Sequence, residues 1–82
     1  MIDVLYFAWI RERIGLPKER VETTAATVAD LVAELSAREE RYAAAFADTR
    51  AVRVALDQEL AAFDSPIAGV REVAFFPPMT GG

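Results

Sequence analysis

The chain contains no cysteine and no histidine. Together these absences remove disulfides, thiolate nucleophiles, imidazole bases and the usual zinc ligands. They argue against nucleophilic or metal catalysis by this chain alone, and no bound metal or cofactor is expected. Basic side chains are the minority, nine against thirteen acidic, for a net charge of -4. That is the wrong sign for gripping phosphate backbones, so nucleic acid is not an expected partner. Long apolar runs are missing too. Nothing approaches the roughly 20 residues of a membrane span, and a strand pattern begins at once without a basic leader, so a soluble, cytoplasmic protein is expected. A chain of 82 residues leaves room for one core, because so short a chain buries only about 60% of the surface its unfolded form exposes. Any deep active site would have to be completed by a partner. What is present is globular in composition, 54% hydrophobic and 27% charged.

Residues 2–9 alternate with period two: Ile2, Val4, Tyr6 and Ala8 on one face, Asp3, Leu5, Phe7 and Trp9 on the other. The second face is unusual, because the outer side of a sheet covered on one side should turn polar. Either both faces are buried, or the outer one receives another protein; 82 residues build few layers, which favours the interface. Ile10 to Leu16 reads as a short turn of helix, ended by Gly15 and blocked by Pro17, and Arg20 to Thr24 as a second strand paired with the first. Thr27 is a helix cap. It precedes Val28, Leu31, Val32 and Leu35 at i, i+3, i+4 and i+7, with Asp30 in a capping-box position, which predicts an amphipathic helix over Val28 to Arg38. Glu39 to Ala47 suits a shorter helix anchored by Tyr42 and Phe46. Strands follow at Ala51 to Leu56, with Val52, Val54 and Leu56 aligned, near Leu60 to Phe63, and at Glu72 to Phe76. In the last, Val73 and Phe75 share one face and Ala74 and Phe76 the other, and Pro77-Pro78 stops it.

This order describes an α+β mixed sheet with one main helix packed on one face, for which the ubiquitin-like β-grasp is the compact solution. Residues 1–76 would form the domain and residues 77–82 a flexible C-terminal tail. The tail is the chemically suggestive part. A chain ending in Gly-Gly arises by chance in about 0.5% of proteins if glycine runs near 7% per position. Flexible fraying of the end is the plain alternative. However, the proline pair stiffens the exit, Met79-Thr80 adds reach, and Gly81-Gly82 has no Cβ, so the end could enter a tunnel too narrow for other residues. Its α-carboxyl, with an ordinary pKa of about 3.3–3.7, is an anion and a poor acyl electrophile at neutral pH. Adenylation by ATP would make it an acyl donor, and capture by a persulfide could give a thiocarboxylate. A carrier of that kind needs no cysteine or histidine of its own.

In its opening (Phe7, Ala8, Arg11, Glu12, Gly15), its middle (Phe63-Asp64-Ser65-Pro66) and above all its close, Glu-Val-Ala-Phe-Phe-Pro-Pro-Met-Thr-Gly-Gly, the chain resembles the small, sulfur-carrying subunits of molybdopterin synthase. The resemblance implies a β-grasp fold and a Gly82 that is adenylated, converted to a thiocarboxylate and positioned by Gly81. It implies a heterotetramer in which two small subunits flank a dimer of large ones, with the Pro77-Pro78-Met79-Thr80 tail entering the large subunit to give sulfur to cyclic pyranopterin monophosphate. Further implied partners are a ubiquitin-activating-type adenylating enzyme, which uses the ATP, and a persulfide sulfur donor. Residues at the positions of Phe7, Leu60 and Phe76 would pack on the large subunit, and Arg11 would meet the activating enzyme. The chain departs from the pattern at Leu56-Asp57-Gln58, usually Val-Asn-Gln, and at Val70-Arg71, usually Gly-Asp.

Without the resemblance, Arg11, Glu12 and Arg13 would read as a solvated turn, and Asp57 and Glu59 as surface acids with no second catalytic group. Carriers for thiamine thiazole, cysteine or tRNA thiolation share the Gly-Gly end, and a ubiquitin-like binding or conjugating module is the alternative of another class.

Overall fold

The computed structural model describes residues 1–78. Five strands and three helices run in the order β1 (Ile2–Tyr6), α1 (Ala8–Ile14), β2 (Lys18–Val21), α2 (Val28–Arg38), α3 (Glu40–Ala45), β3 (Arg53–Leu56), β4 (Glu59–Ala61) and β5 (Glu72–Phe76), with a 3-10 turn at Thr49–Ala51 before β3. The sheet order is β2-β1-β5-β3-β4. β1 and β5 form the parallel central pair, and the other neighbours are antiparallel. This is the β-grasp arrangement.

One face carries the core. Ile2, Val4 and Tyr6 from β1, Val73 and Phe75 from β5 and Val54 from β3 pack with Val28, Leu31, Val32 and Leu35, the predicted stripe of α2. The start of α2 is set as its sequence implies, Thr27 Oγ1 accepting the Asp30 N–H at 3.2 Å. Gly15 closes α1 with φ 90° and donates its N–H to Arg11 O at 2.7 Å, the left-handed stop that a Cβ would oppose. Tyr42 and Phe46 are both buried, and the Phe46 ring meets Phe75 edge-on at 4.9 Å.

Expectation and structure part at the end of β1. The strand stops at Tyr6, Phe7 caps α1, and Trp9 belongs to that helix, where it packs partly buried against the core instead of lying on the outer face. The break is made at Ala8, whose φ of 53° is left-handed and costly for a residue with a Cβ. An unbroken apolar run conceals such a break, because helix and strand both bury apolar residues. β2 begins earlier than expected and ends at Val21, since Thr23 Oγ1 accepts the Ala25 N–H at 3.0 Å and donates to Glu34 Oε2 at 2.6 Å, tying that stretch into a turn. Ala51 lies in the 3-10 turn, so β3 starts at Arg53. β4 ends at Ala61. α2 and β5 have the expected bounds.

Candidate functional site: the uncovered sheet face

Because side chains alternate, the strands that bury one face present another set opposite the helices. The register makes this a continuous surface. Leu5 pairs with Ala74, Ala74 with Ala55 and Ala55 with Leu60, forming an apolar row across four strands. In the next row Arg53 pairs with Phe76, and the Phe7 N–H donates to Phe75 O at 3.1 Å, which sets Phe7 beside Phe76. Leu5, Phe7, Ala74, Phe76 and Pro77 line an open groove of about 570 Å³, with Gln58 and Glu72 at its margin. Phe7 is 45% exposed and Leu60 75%. Side chains of that size are costly to leave in water, and together they form a patch of the kind that marks protein contacts.

The structure therefore brings Phe7, Leu60, Phe76 and Pro77 to one face. Pro78 follows, half-buried. Arg11 is exposed on α1, one turn past Phe7, whose carbonyl accepts the Arg11 N–H at 3.3 Å. Because β1 and β5 are parallel, α1 leaves β1 at the end of the sheet where Pro77 leaves β5, so Arg11 shares an end with the departing chain. Met79, Thr80, Gly81 and Gly82, including the expected reactive terminus, lie outside the described residues.

Several residues of this face escaped the sequence reading. Ala55 and Arg53 alternate with the aligned Val52, Val54 and Leu56, so their facing was readable, but small and charged residues draw little notice in an apolar search. Gln58 and Glu72 reach the groove only through strand pairing. The two departures from the family pattern also meet: Asp57 Oδ1 accepts the N–H groups of Arg71 and Glu72, each at 3.0 Å, while the Asp57 N–H donates to Glu72 O at 2.9 Å. Asp57 is thus no idle surface acid. It joins the β3–β4 turn to the start of β5 and fixes one edge of the groove.

The ThiS family matches residues 4–82 of the chain. The protein belongs to that family. It is 42% identical to the molybdopterin synthase sulfur carrier subunit of Escherichia coli K12 and 35% identical to that of Haemophilus influenzae, in each case over 82 residues and the whole of both chains. The crystal structure of SAMP1 from Haloferax volcanii matches with a TM-score of 0.72 at 26% identity, covering 99% of this chain and 98% of that one. This ThiS-family chain thus has a β-grasp body whose fold matches that structure nearly end to end. Among the described residues no group of three or more acidic side chains could hold a metal ion.

Proposed function

We propose that this protein is the sulfur carrier of a molybdopterin synthase, with the Gly82 carboxyl as the carrying group. The observation that carries the reading is an uncovered apolar face with β5 at its centre, the strand from which the Gly-Gly end departs. A body that docks through Phe7, Leu60 and Phe76 and sends its last residues into the partner needs that arrangement. The full-length relatives named as molybdopterin synthase sulfur carrier subunits support it.

In this reading a ubiquitin-activating-type enzyme joins the Gly82 carboxylate to AMP from ATP, releasing pyrophosphate. A persulfide then displaces AMP, and reductive cleavage of the resulting acyl disulfide by a thiol leaves the thiocarboxylate. Its sulfur is a good nucleophile at neutral pH and attacks cyclic pyranopterin monophosphate inside the large subunit, which supplies the catalytic groups that this chain lacks. Two such small subunits flank a dimer of large ones. Pro77 and Pro78 direct the tail, Met79 and Thr80 span the entry, and Gly81 passes its narrowest part. Arg11, at the same end, meets the activating enzyme. The test is reconstitution: thiocarboxylated protein, large subunit and pterin precursor should yield the dithiolene product, whereas carboxylate protein should not.

The second reading, a conjugating module that forms an amide with a protein lysine, rests on the same Gly-Gly end, whose activated carboxyl serves either chemistry. A protein adduct in place of a pterin product would favour it.

A further inference from the structure

The uncovered face is charged differently at its two ends, which its use as a docking surface, the reading on which this inference rests, does not by itself require. At the end where β5 runs out, Arg53 is the register partner of Phe76. Its Nη1 donates to the carbonyls of Arg50 and Val52 at 3.1 and 3.2 Å, and it forms no ion pair among the described residues. Lys18, exposed, is the register partner of Leu5, and Arg11 lies beyond Phe7. The acids nearby are Glu12 on α1 and Asp48, and Asp48 is taken up by Arg50 at 3.1 Å, which holds its carboxyl below the usual range.

At the other end the balance reverses. Asp3 and Glu72 are register partners. Asp3 is 3.3 Å from Arg20, whereas Glu72, on the groove margin, forms no ion pair among the described residues. Asp57 is bonded to the amides of Arg71 and Glu72, and the Arg71 side chain is the other exposed cation there. Glu72 and Phe76 are four residues apart, so roughly 13 Å of strand separates the two charged ends. An apolar strip between them binds in either direction with similar burial, because the hydrophobic effect is non-directional. Charges at its ends choose one.

We propose that Arg53 and Glu72 set the direction in which this face docks, and that the partner surface is charged in the opposite sense. That surface carries carboxylates around the point where residues 79–82 enter it and a lysine or arginine opposite Glu72, with an apolar centre between. The reversed orientation sets like charges against each other and points the tail away from the entry.

The experiment is stopped-flow association of the full-length chain with its large subunit at about 0.01 M and about 1 M salt, where the Debye length falls from roughly 30 to 3 Å. Arg53→Glu and Glu72→Lys, each checked for a native circular dichroism spectrum, are expected to associate about tenfold more slowly than wild type at low salt. The difference should shrink to within about twofold at high salt, and Arg53→Gln should fall between. If Phe76→Arg abolishes binding while both charge reversals associate at least as fast as wild type at low salt, the direction-setting role is overturned and the docking face stands. If Phe76→Arg binds like wild type, the docking reading itself fails.

Discussion

Tyr6 on β1 and Tyr42 on α3 donate their hydroxyls to the same atom, Oε2 of Glu19, at 2.8 and 2.6 Å. Arg41 lies over the Tyr42 ring at 5.0 Å and donates from Nη1 to Ile14 O at 2.8 Å. One carboxylate therefore links β1, the edge strand β2 and the short helix α3. Glu19→Ala removes the shared acceptor, leaving the Tyr6 hydroxyl unpaired and the Tyr42 hydroxyl only the 3.4 Å bond it accepts from Arg41 Nη2, at about 1–3 kcal/mol for an unpaired buried group. Urea unfolding at neutral pH should show a loss of that order.

The same cluster predicts an alkaline limit to stability. Burial, then the bond to Glu19 and its negative charge, push Tyr42 up to about 12 and Tyr6 higher still. An unfolded tyrosine titrates near 10. Between those values the unfolded chain has lost protons that the folded chain keeps, so stability is full below about pH 10 and falls as pH rises towards 12, by up to about 1.4 kcal/mol per pH unit per tyrosine. Unfolding free energies at rising pH should bend downward in that window, and less so for Tyr42→Phe.

Leu35, on the buried face of α2, is 0% exposed. Its truncation to alanine should cost about 2–5 kcal/mol, read as a lower midpoint in urea at unchanged m-value.

The β3–β4 turn carries φ 49° at Asp57 and φ 72° at Gln58. Both are left-handed, the geometry in which Asn-Gly is preferred, and glutamine is a poor fit at the second position. Gln58→Gly should stabilise the fold by about 1 kcal/mol, measured by thermal or urea unfolding.

The legible parts of the fold are those that one local rule governs. Thr27 and the spacing from Val28 to Leu35 define α2 without help from the rest of the chain, and Pro77-Pro78 ends β5. The fold order and the Phe7/Phe76 face follow from alternation. The left-handed Ala8 was not legible, because nothing in Phe7-Ala8-Trp9 forces a break; the surrounding packing imposes it. Nor was the link between Asp57 and Arg71, which are distant in sequence and meet only once β3 and β5 pair. The charged ends of the uncovered face share that origin, since Arg53 and Phe76 are neighbours by register alone.

Phe76→Arg should weaken large-subunit binding by at least about 2 kcal/mol, because it removes an aromatic anchor from the apolar face and sets a second cation beside Arg53. Stability should change little, since Phe76 is only partly buried and sits outside the core cluster. Calorimetric titration against the large subunit checks the first part and thermal unfolding the second.

The central claim is that Gly82 carries sulfur, and intact-mass spectrometry tests it most directly. After incubation with ATP, the activating enzyme and a persulfide donor, wild-type protein should show replacement of one oxygen by sulfur and should then convert pterin precursor with the large subunit. Deleting Gly82, or adding one residue after it, moves the reacting atom away from its required depth, and small displacements cost orders of magnitude in rate. Both variants should fold and bind the large subunit yet give no product, with Gly81→Ala intermediate. If wild-type protein never gains the sulfur in the presence of an active activating enzyme, or if the Gly82 deletion still supports conversion, the carrier account is contradicted.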